Sequence, residues 1–360
     1  MIIRTVPLGK VGQRTLTRLR HCGKKAGRTL SKVGEERTAP SVAVLTVNTD
    51  GAAFMAEFAE SLRAISYPNY QLVMVDNASE DDSLDILRRL QPDAIVLEND
   101  ANLGFTGACN RGIEYCLGAG FDYVLFLNGD VRVEPDFLNR LVAAGDERTM
   151  TAPKSYLYHH PGTLDDSVGQ FDWTRGIWKH QILGKCPTDE FDQPRLVDTA
   201  NLSCLLVPAG VLRRVGLLDN NFFIYYDDTD FVRRAHDAGY RLWFVPDAVI
   251  HHRKGATIGG SETAFGLYYL TRNRPYLIHK HVRSPIRRTL FWMYFITTRL
   301  TRVAVLTLGG RLDLARAITA GVADYWRGRM GKTVDRGHPS GEKETSNPGL
   351  KLTEGTHPEV

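Results

Sequence analysis

Between residues 41 and 146 the chain alternates short apolar runs with stretches whose apolar residues recur at helical spacing. "VAVLTVN" reads as a strand and "AAFMAEFAESLRAI" as the helix behind it. "QLVMVDN" is a second strand, and "SEDDSLDILRRL" a second helix with Ser79 as its expected N-cap. "AIVLEN", then the Gly-rich "NLGFTGACNRGIEYCL", then "YVLFLNGD" continue the alternation. Short strands separated by helices predict an α/β fold, a mainly parallel sheet covered on both faces. After Asp146 the rhythm weakens, and residues 154–196 read as a long irregular or β-rich excursion. "NLSCLLVP", "RLWFVP" and "VIHH" predict further strands. "DDTDFVRRAHDAG" predicts a helix stopped at Gly239. "ETAFGLYYLTRNRPYLIHKH" reads as helical up to Pro275, and residues 285–330 as helical and basic.

Charge divides the chain more sharply than its net +4 implies. Residues 1–38 carry ten Lys/Arg against two acids, residues 39–282 carry 22 against 32, and residues 283–336 carry eleven against three. The expected organisation is a basic N-terminal arm (1–38), an acidic α/β domain (39–282), a basic amphipathic helical segment (283–335) and a disordered tail (336–360). The apolar run "TLFWMYFITT" is too short to span a bilayer. With its flanking arginines it suits an interfacial helix on a membrane surface; the alternative is burial against the α/β domain or a second copy of the chain. The acidic central body and the lack of a nucleic-acid-binding motif argue against nucleic acid as a partner. Five cysteines without metal-like pairing predict buried thiols, at Cys109 and Cys116 above all, and a reducing compartment. The first residues lack a continuous apolar segment, so no secretory signal is read there.

Four strand ends carry polar residues: Asn48, Asp76 with Asn77, Asn99, and Asn128 to Asp130. In a parallel sheet these line up along one edge, where open α/β folds bind ligands. Asp76 is suited to accept the imide N–H of a pyrimidine base, or it caps a turn. Gly104, Gly107 and Gly112 either let a ligand approach backbone N–H groups or let a helix pack closely. Asp130 could ligate a divalent cation. Asp227, Asp228 and Asp230 open a helix, where acids favour the dipole. His251 and His252 end a strand, and alternation should turn them to opposite faces.

"VAVLTVNTDG", "YPNYQLVMVDNAS", "NLGFTGACNRGI", "YVLFLNGDVRVEPDFL", "VGLLDNNFFIYYDDTDFVRRAHDAGYRLWFVPDAVIHHRKG" and "YYLTRNRPYLI" occur in the order and spacing of family-2 glycosyltransferases. Over residues 40–282 the chain resembles the rhamnosyltransferase-like and galactofuranosyltransferase-like branch. The resemblance implies a GT-A fold and an inverting sugar transferase. It implies a dTDP- or UDP-sugar donor, Mg²⁺ or Mn²⁺, and a glycan or lipid-linked glycan acceptor. The implied place is the cytoplasmic face of the cell membrane, in cell-envelope polysaccharide assembly. Carried over by position, Val47 and Asp76 would hold base and ribose, and Asn102, Gly104 and Asn110 would line the nucleotide. Asn128–Asp130 stands at the metal motif, with Asp130 the metal-binding acid. Asp228 stands at the catalytic base, with Asp227 before it, and His252 at a further metal ligand. Thr49, Asp50 and Asn128 depart from the commoner family residues, which bears on donor identity. A sugar-1-phosphate nucleotidylyltransferase should carry a Gly-rich, Arg-containing loop after the first strand, and "VNTDGAAF" lacks one. A non-catalytic nucleotide-sugar-binding protein would not need Asp130, Asp228 and His252 together.

Overall fold

The alternation of the first half becomes β1 (Val42–Asn48), α1 (Ala52–Arg63), β2 (Tyr70–Asp76), α2 (Ser83–Leu90), β3 (Ile95–Glu98), α3 (Gly104–Gly118) and β4 (Tyr123–Leu127). After it come β5 (Val131–Val133), α4 (Phe137–Ala144), β6 (Thr149–Leu157), β7 (Val168–Asp172), β8 (Ile177–Lys179), β9 (Arg195–Leu196), β10 (Thr199–Ala200) and β11 (Cys204–Pro208). The remaining elements are α5 (Ala209–Val215), α6 (Asp227–Asp237), β12 (Arg241–His252), α7 (Ala264–His281), α8 (Pro285–Leu308) and α9 (Leu312–Trp326). This computed structural model describes residues 39–179, 184–185, 189–254 and 262–333. The basic arm, the C-terminal tail, Cys22, Cys186 and Gly255 lie outside the described residues.

Nine strands form one sheet, in the order β3-β2-β1-β4-β11-β6-β12-β5, with β9 beside β12. β1, β2, β3 and β4 run parallel, as do β6 and β12, whereas β11, β5 and β9 pair antiparallel to their neighbours. Strand order reverses between β1 and β4, which opens a crevice at their carboxyl ends. Alternate residues feed the two faces: Leu45, Val73 and Val75 pack on the α3 side, and Val44, Leu72 and Met74 on the α1 side. Cys109, Cys116 and Cys204 are buried free thiols, and burial pushes each of them up. A separate three-stranded sheet, β10-β7-β8, occupies much of the expected excursion.

Four local expectations fail for physical reasons. Ser79 does not cap α2, which starts at Ser83 behind Asp82; its hydroxyl bonds Asp76 instead. β6 hides behind Pro153 and Lys154, residues that read against a central strand. "RLWFVP" and "VIHH" are one strand, β12, with an irregularity between Val245 and Val249. α7 runs through Pro275, at a typical cost of about 3 kcal/mol. It tolerates this because Thr271–Pro275, Leu277 and Ile278 are all buried by neighbouring elements.

α8 and α9 pack on each other and α9 packs on α7, so they continue the unit that begins at Ala39. Among the described residues no helix is long and apolar enough to cross a membrane.

Candidate active site

The polar strand ends are cross-bonded along the carboxyl edge of the sheet. Asn48 and Asp76 are register partners, and the Asn48 amide donates to Asp76 Oδ1 at 2.9 Å. The Ser79 hydroxyl donates to the same oxygen at 2.6 Å, and the Ser79 N–H donates to Asp76 Oδ2 at 3.0 Å. Asp76 therefore closes a turn. The Asn99 amide donates to Asn77 Oδ1 at 3.0 Å, and the Asn77 amide donates to Asn102 Oδ1 at 2.9 Å. Val47 lies half-buried beside Val75.

The Gly-rich stretch makes close contacts. Gly104 has φ +75°, and a Cβ there would lie 2.2 Å from the Phe223 ring. A Cβ at Gly112 would meet Leu45 at 2.2 Å, so α3 lies directly on the sheet. The Gly104 N–H donates to Asn102 Oδ1 at 2.8 Å, and the Thr106 N–H donates to the Phe223 carbonyl at 3.3 Å. Asn110 is committed further from this edge: its amide donates to the Leu218 carbonyl and Asn220 Oδ1, each at 2.9 Å. Gly104→Ala should lower the melting temperature, because the new methyl needs both a positive φ and the space of the Phe223 ring. A melt unchanged from wild type would mean that Phe223 yields.

Asn128 and Asp130 shape the turn from β4 to β5. The Asn128 N–H donates to the Ser203 carbonyl at 2.9 Å, and the Asn128 carbonyl accepts from the Val131 N–H at 3.3 Å. β5 pairs with the end of β12, placing His252 opposite Val131. Asp130 and His252 are both buried, and Asp130 Oδ1 lies 3.5 Å from His252 Nε2. The other ring nitrogen, Nδ1, is 2.8 Å from Asp165 Oδ2. Asp165 is fully buried and also accepts from Lys254 Nζ at 3.1 Å. Burial pulls the His252 imidazole down, but Asp130 and Asp165 outweigh it and hold it at about 10. Burial would raise Asp165, but His252 and Lys254 hold it well below the usual carboxylate range. His251 faces the opposite way, bonding Glu134 Oε1 at 2.9 Å and stacking on Tyr156. Asp165 escapes sequence reasoning because nothing in "PGTLDDSVG" marks one acid above its neighbour.

Asp130 supplies an oxygen and His252, once its Nε2 gives up its proton, a nitrogen beside it. Asp165 orients the ring from behind, the usual second partner of a metal-binding histidine. Among the described residues no group of three or more such ligands occurs. The described residues thus offer two donors here, which fits a cation whose remaining ligands come from elsewhere.

The acidic triplet opens α6, the helix that returns the chain to the start of β12. Asp227 is buried, and its Oδ2 finds no hydrogen-bond partner among the described residues. Asp228 is half-buried, its Oδ1 accepting from the Thr229 N–H at 2.6 Å and the Thr229 hydroxyl at 3.1 Å. Burial pushes Asp228 up to about 6, while burial and then the Asp228 charge push Asp227 well above the ordinary range. Asp230 is fully buried and occupied by Arg234, Lys280 and His281, each at 2.7–2.8 Å; burial raises it, but these partners bring it down to about 2.

The turn before these acids is strained. Phe223, Tyr225 and Tyr226 all have φ between 63° and 66°, a region bulky residues rarely adopt. Buried side chains of α7 hold it. The Asn273 amide donates to the carbonyls of Phe222, Ile224 and Tyr225 at 2.9, 2.7 and 3.1 Å. Arg272 donates to the carbonyls of Asn221 and Phe222 at 3.0 and 2.9 Å and to that of Gly331 at 2.6 Å. From the excursion, Trp178 Nε1 donates to the Thr229 hydroxyl at 3.0 Å.

Residues 41–190 match the family Glycosyl transferase family 2. The chain carries a family 2 glycosyltransferase domain. It is 27% identical over 270 residues to the N-acetylglucosaminyl-diphospho-decaprenol L-rhamnosyltransferase of Mycobacterium tuberculosis, covering 69% of this chain and 88% of that protein. It is 23% identical over 269 residues to the dTDP-rhamnosyl transferase RfbF of Shigella flexneri, covering 70% and 88%. A crystal structure of GalNAc-T7 with UDP, GalNAc and Mn²⁺ aligns with TM-score 0.51 and 17% identity, covering 66% of this chain and 48% of that one. This last likeness is one of fold, the α/β GT-A arrangement. The family 2 glycosyltransferase domain match includes Asp76, Asp130 and Asp165, whereas Asp228, His252 and Asn273 lie beyond it.

Proposed function

We propose that this glycosyltransferase moves a sugar, with rhamnose the leading candidate, from a dTDP- or UDP-linked donor to a hydroxyl of a glycan or lipid-linked glycan, with inversion. The acceptor oxygen bonds to the anomeric carbon as the bond to the diphosphate oxygen breaks, and Asp228 takes the hydroxyl proton. The observation that carries this reading is the Asp227–Asp228 pair: one acid buried, the other half-open and raised to about 6. Burial and the Asp228 charge favour the neutral form of Asp227, so Asp228 is the acid of the pair more readily ionised and the one offered as proton acceptor. Asp130 and His252 would hold Mg²⁺ or Mn²⁺. When bound, that cation neutralises charge growing on the leaving diphosphate. Asp76, Asn102 and the polar edge around them form the floor against which the nucleoside lies. We place the reaction at the inner face of the cell membrane, in envelope polysaccharide assembly. The name of the Mycobacterium tuberculosis relative, which specifies a decaprenol-linked acceptor, supports that placing.

The decisive experiment is a donor screen with a lipid-linked glycan acceptor and Mg²⁺ or Mn²⁺, scored by nucleotide diphosphate release. No acceptor-dependent release from any dTDP- or UDP-sugar would sink the reading. Asp165→Asn should weaken Mn²⁺ activation by about 10–100-fold, the usual loss when a ligand's outer partner is removed. His252→Ala should do at least as much, and His251→Ala little. Equal responses at the two histidines would remove His252 from the metal site.

A further inference from the structure

α8 carries apolar residues around its whole circumference. Phe291, Phe295 and Leu306 are buried inward, and Trp292 stacks on Trp326 of α9 with ring centroids 5.1 Å apart. A helix apolar all round is ordinarily covered on every side. Here the outward face is open among the described residues. Ile286 is 72% exposed, Leu290 47%, Met293 63%, Leu300 66% and Leu308 90%. Their spacing of three, four, seven and eight positions keeps them on one stripe of the helix. At 24 residues the helix is about 36 Å long.

Charge says what covers it. α8 contains no Asp or Glu. Arg283 and Arg287 stand exposed at its N-terminal end, with no ion-pair partner among the described residues. The other arginines are committed: Arg288 to the carbonyls of Val282 and His279, Arg302 to Glu262, and Arg299 to the interior. A protein partner fitted to this stripe would need no cationic end. An anionic lipid surface matches both features, apolar side chains entering between acyl chains and arginines meeting headgroup phosphates.

We propose that the outward face of α8 lies flat on an anionic bilayer and docks the chain there. This deepens the membrane-side reading above and rests on it for its purpose, but binding needs neither donor nor acceptor, so the two can fail separately.

The test is flotation of the full chain with vesicles of phosphatidylcholine alone or mixed with phosphatidylglycerol. Wild type should float with the mixed vesicles, less so in high salt, and poorly with phosphatidylcholine alone. Met293→Asp with Leu300→Asp should cut binding about tenfold or more, because burying a single large apolar side chain is worth about that factor. Arg283→Gln with Arg287→Gln should remove the preference for the anionic lipid. All these positions are exposed, and an unchanged thermal melt checks the fold of each variant. Failure of the wild type to float, or equal flotation of the Asp variant, overturns the proposal. So does a solution dimer that the Asp variant dissociates, which would make this face a contact between copies. Flotation with no transfer activity would instead retain the surface and return the function to question.

Discussion

Replacing Asp228 with Asn is expected to cut turnover by about 10²–10⁴-fold, the typical worth of a general base. The fold should survive, because the amide oxygen can still accept from the Thr229 N–H and hydroxyl. Donor binding should survive too, since Asp130 and His252 are untouched. The wild-type pH profile gives a second readout. Burial pushes Asp228 up to about 6, and a carboxyl can take the acceptor hydroxyl's proton only when ionised. Turnover should therefore fall as pH drops through about 6 and level off above it. Asp227→Asn should retain far more activity, because burial and the neighbouring Asp228 charge already favour the neutral form that the amide mimics. If Asp228→Asn keeps more than about a tenth of the wild-type rate, short of even the low end of that range, the base lies elsewhere. Asp227 would then be the remaining candidate, since Asp230 is fully engaged by Arg234, Lys280 and His281.

Asn273→Ala should lower both stability and turnover. It strips the donor from the carbonyls of Ile224 and Tyr225; the Phe222 carbonyl keeps Arg272. Losing a hydrogen bond to each of these part-buried carbonyls costs about 0.5–1.5 kcal/mol. That loss falls on a turn holding three aromatic residues at positive φ immediately before the acidic pair. A carboxylate displaced by about 1 Å can cost about 10² in rate. Expected, then, are a lower melting temperature and a kcat reduced by up to about 100-fold with KM for donor little changed. A drop in melting temperature with kcat intact would show that the clamp supports the fold without aiming Asp228.

The first half of the sheet is legible from sequence because each apolar run is short, uninterrupted and bounded by a helix. Local cues fail where tertiary contacts override them. Pro153 and Lys154 sit inside a central strand, and Pro275 inside a helix, because burial on every side outweighs their propensities. The acids and His252 stand out because charge at the end of an apolar run is conspicuous. Asp165 does not: its role comes from an ion pair spanning 87 residues, set by how the excursion folds back on β12. Arg272 and Asn273 lie in a conspicuous motif, but the carbonyls they bind sit about fifty residues earlier and leave no trace in the sequence pattern.

The turn that carries the acidic pair is also tied to the last described segment. The Gly331 N–H donates to the Asn221 carbonyl at 2.8 Å, and the Gly331 carbonyl accepts from Arg272 at 2.6 Å. During synthesis the strands can pair as they leave the ribosome, but these bonds must wait until the chain has emerged past Gly331. A nascent or prematurely terminated chain therefore has a sheet before the turn that precedes Asp227 and Asp228 is tied down. On the proposed role of Asp228, competence for transfer arrives only with the segment beyond α9, and a chain released at residue 282, which lacks α8, α9 and Gly331, should show less helix by far-ultraviolet dichroism and no turnover.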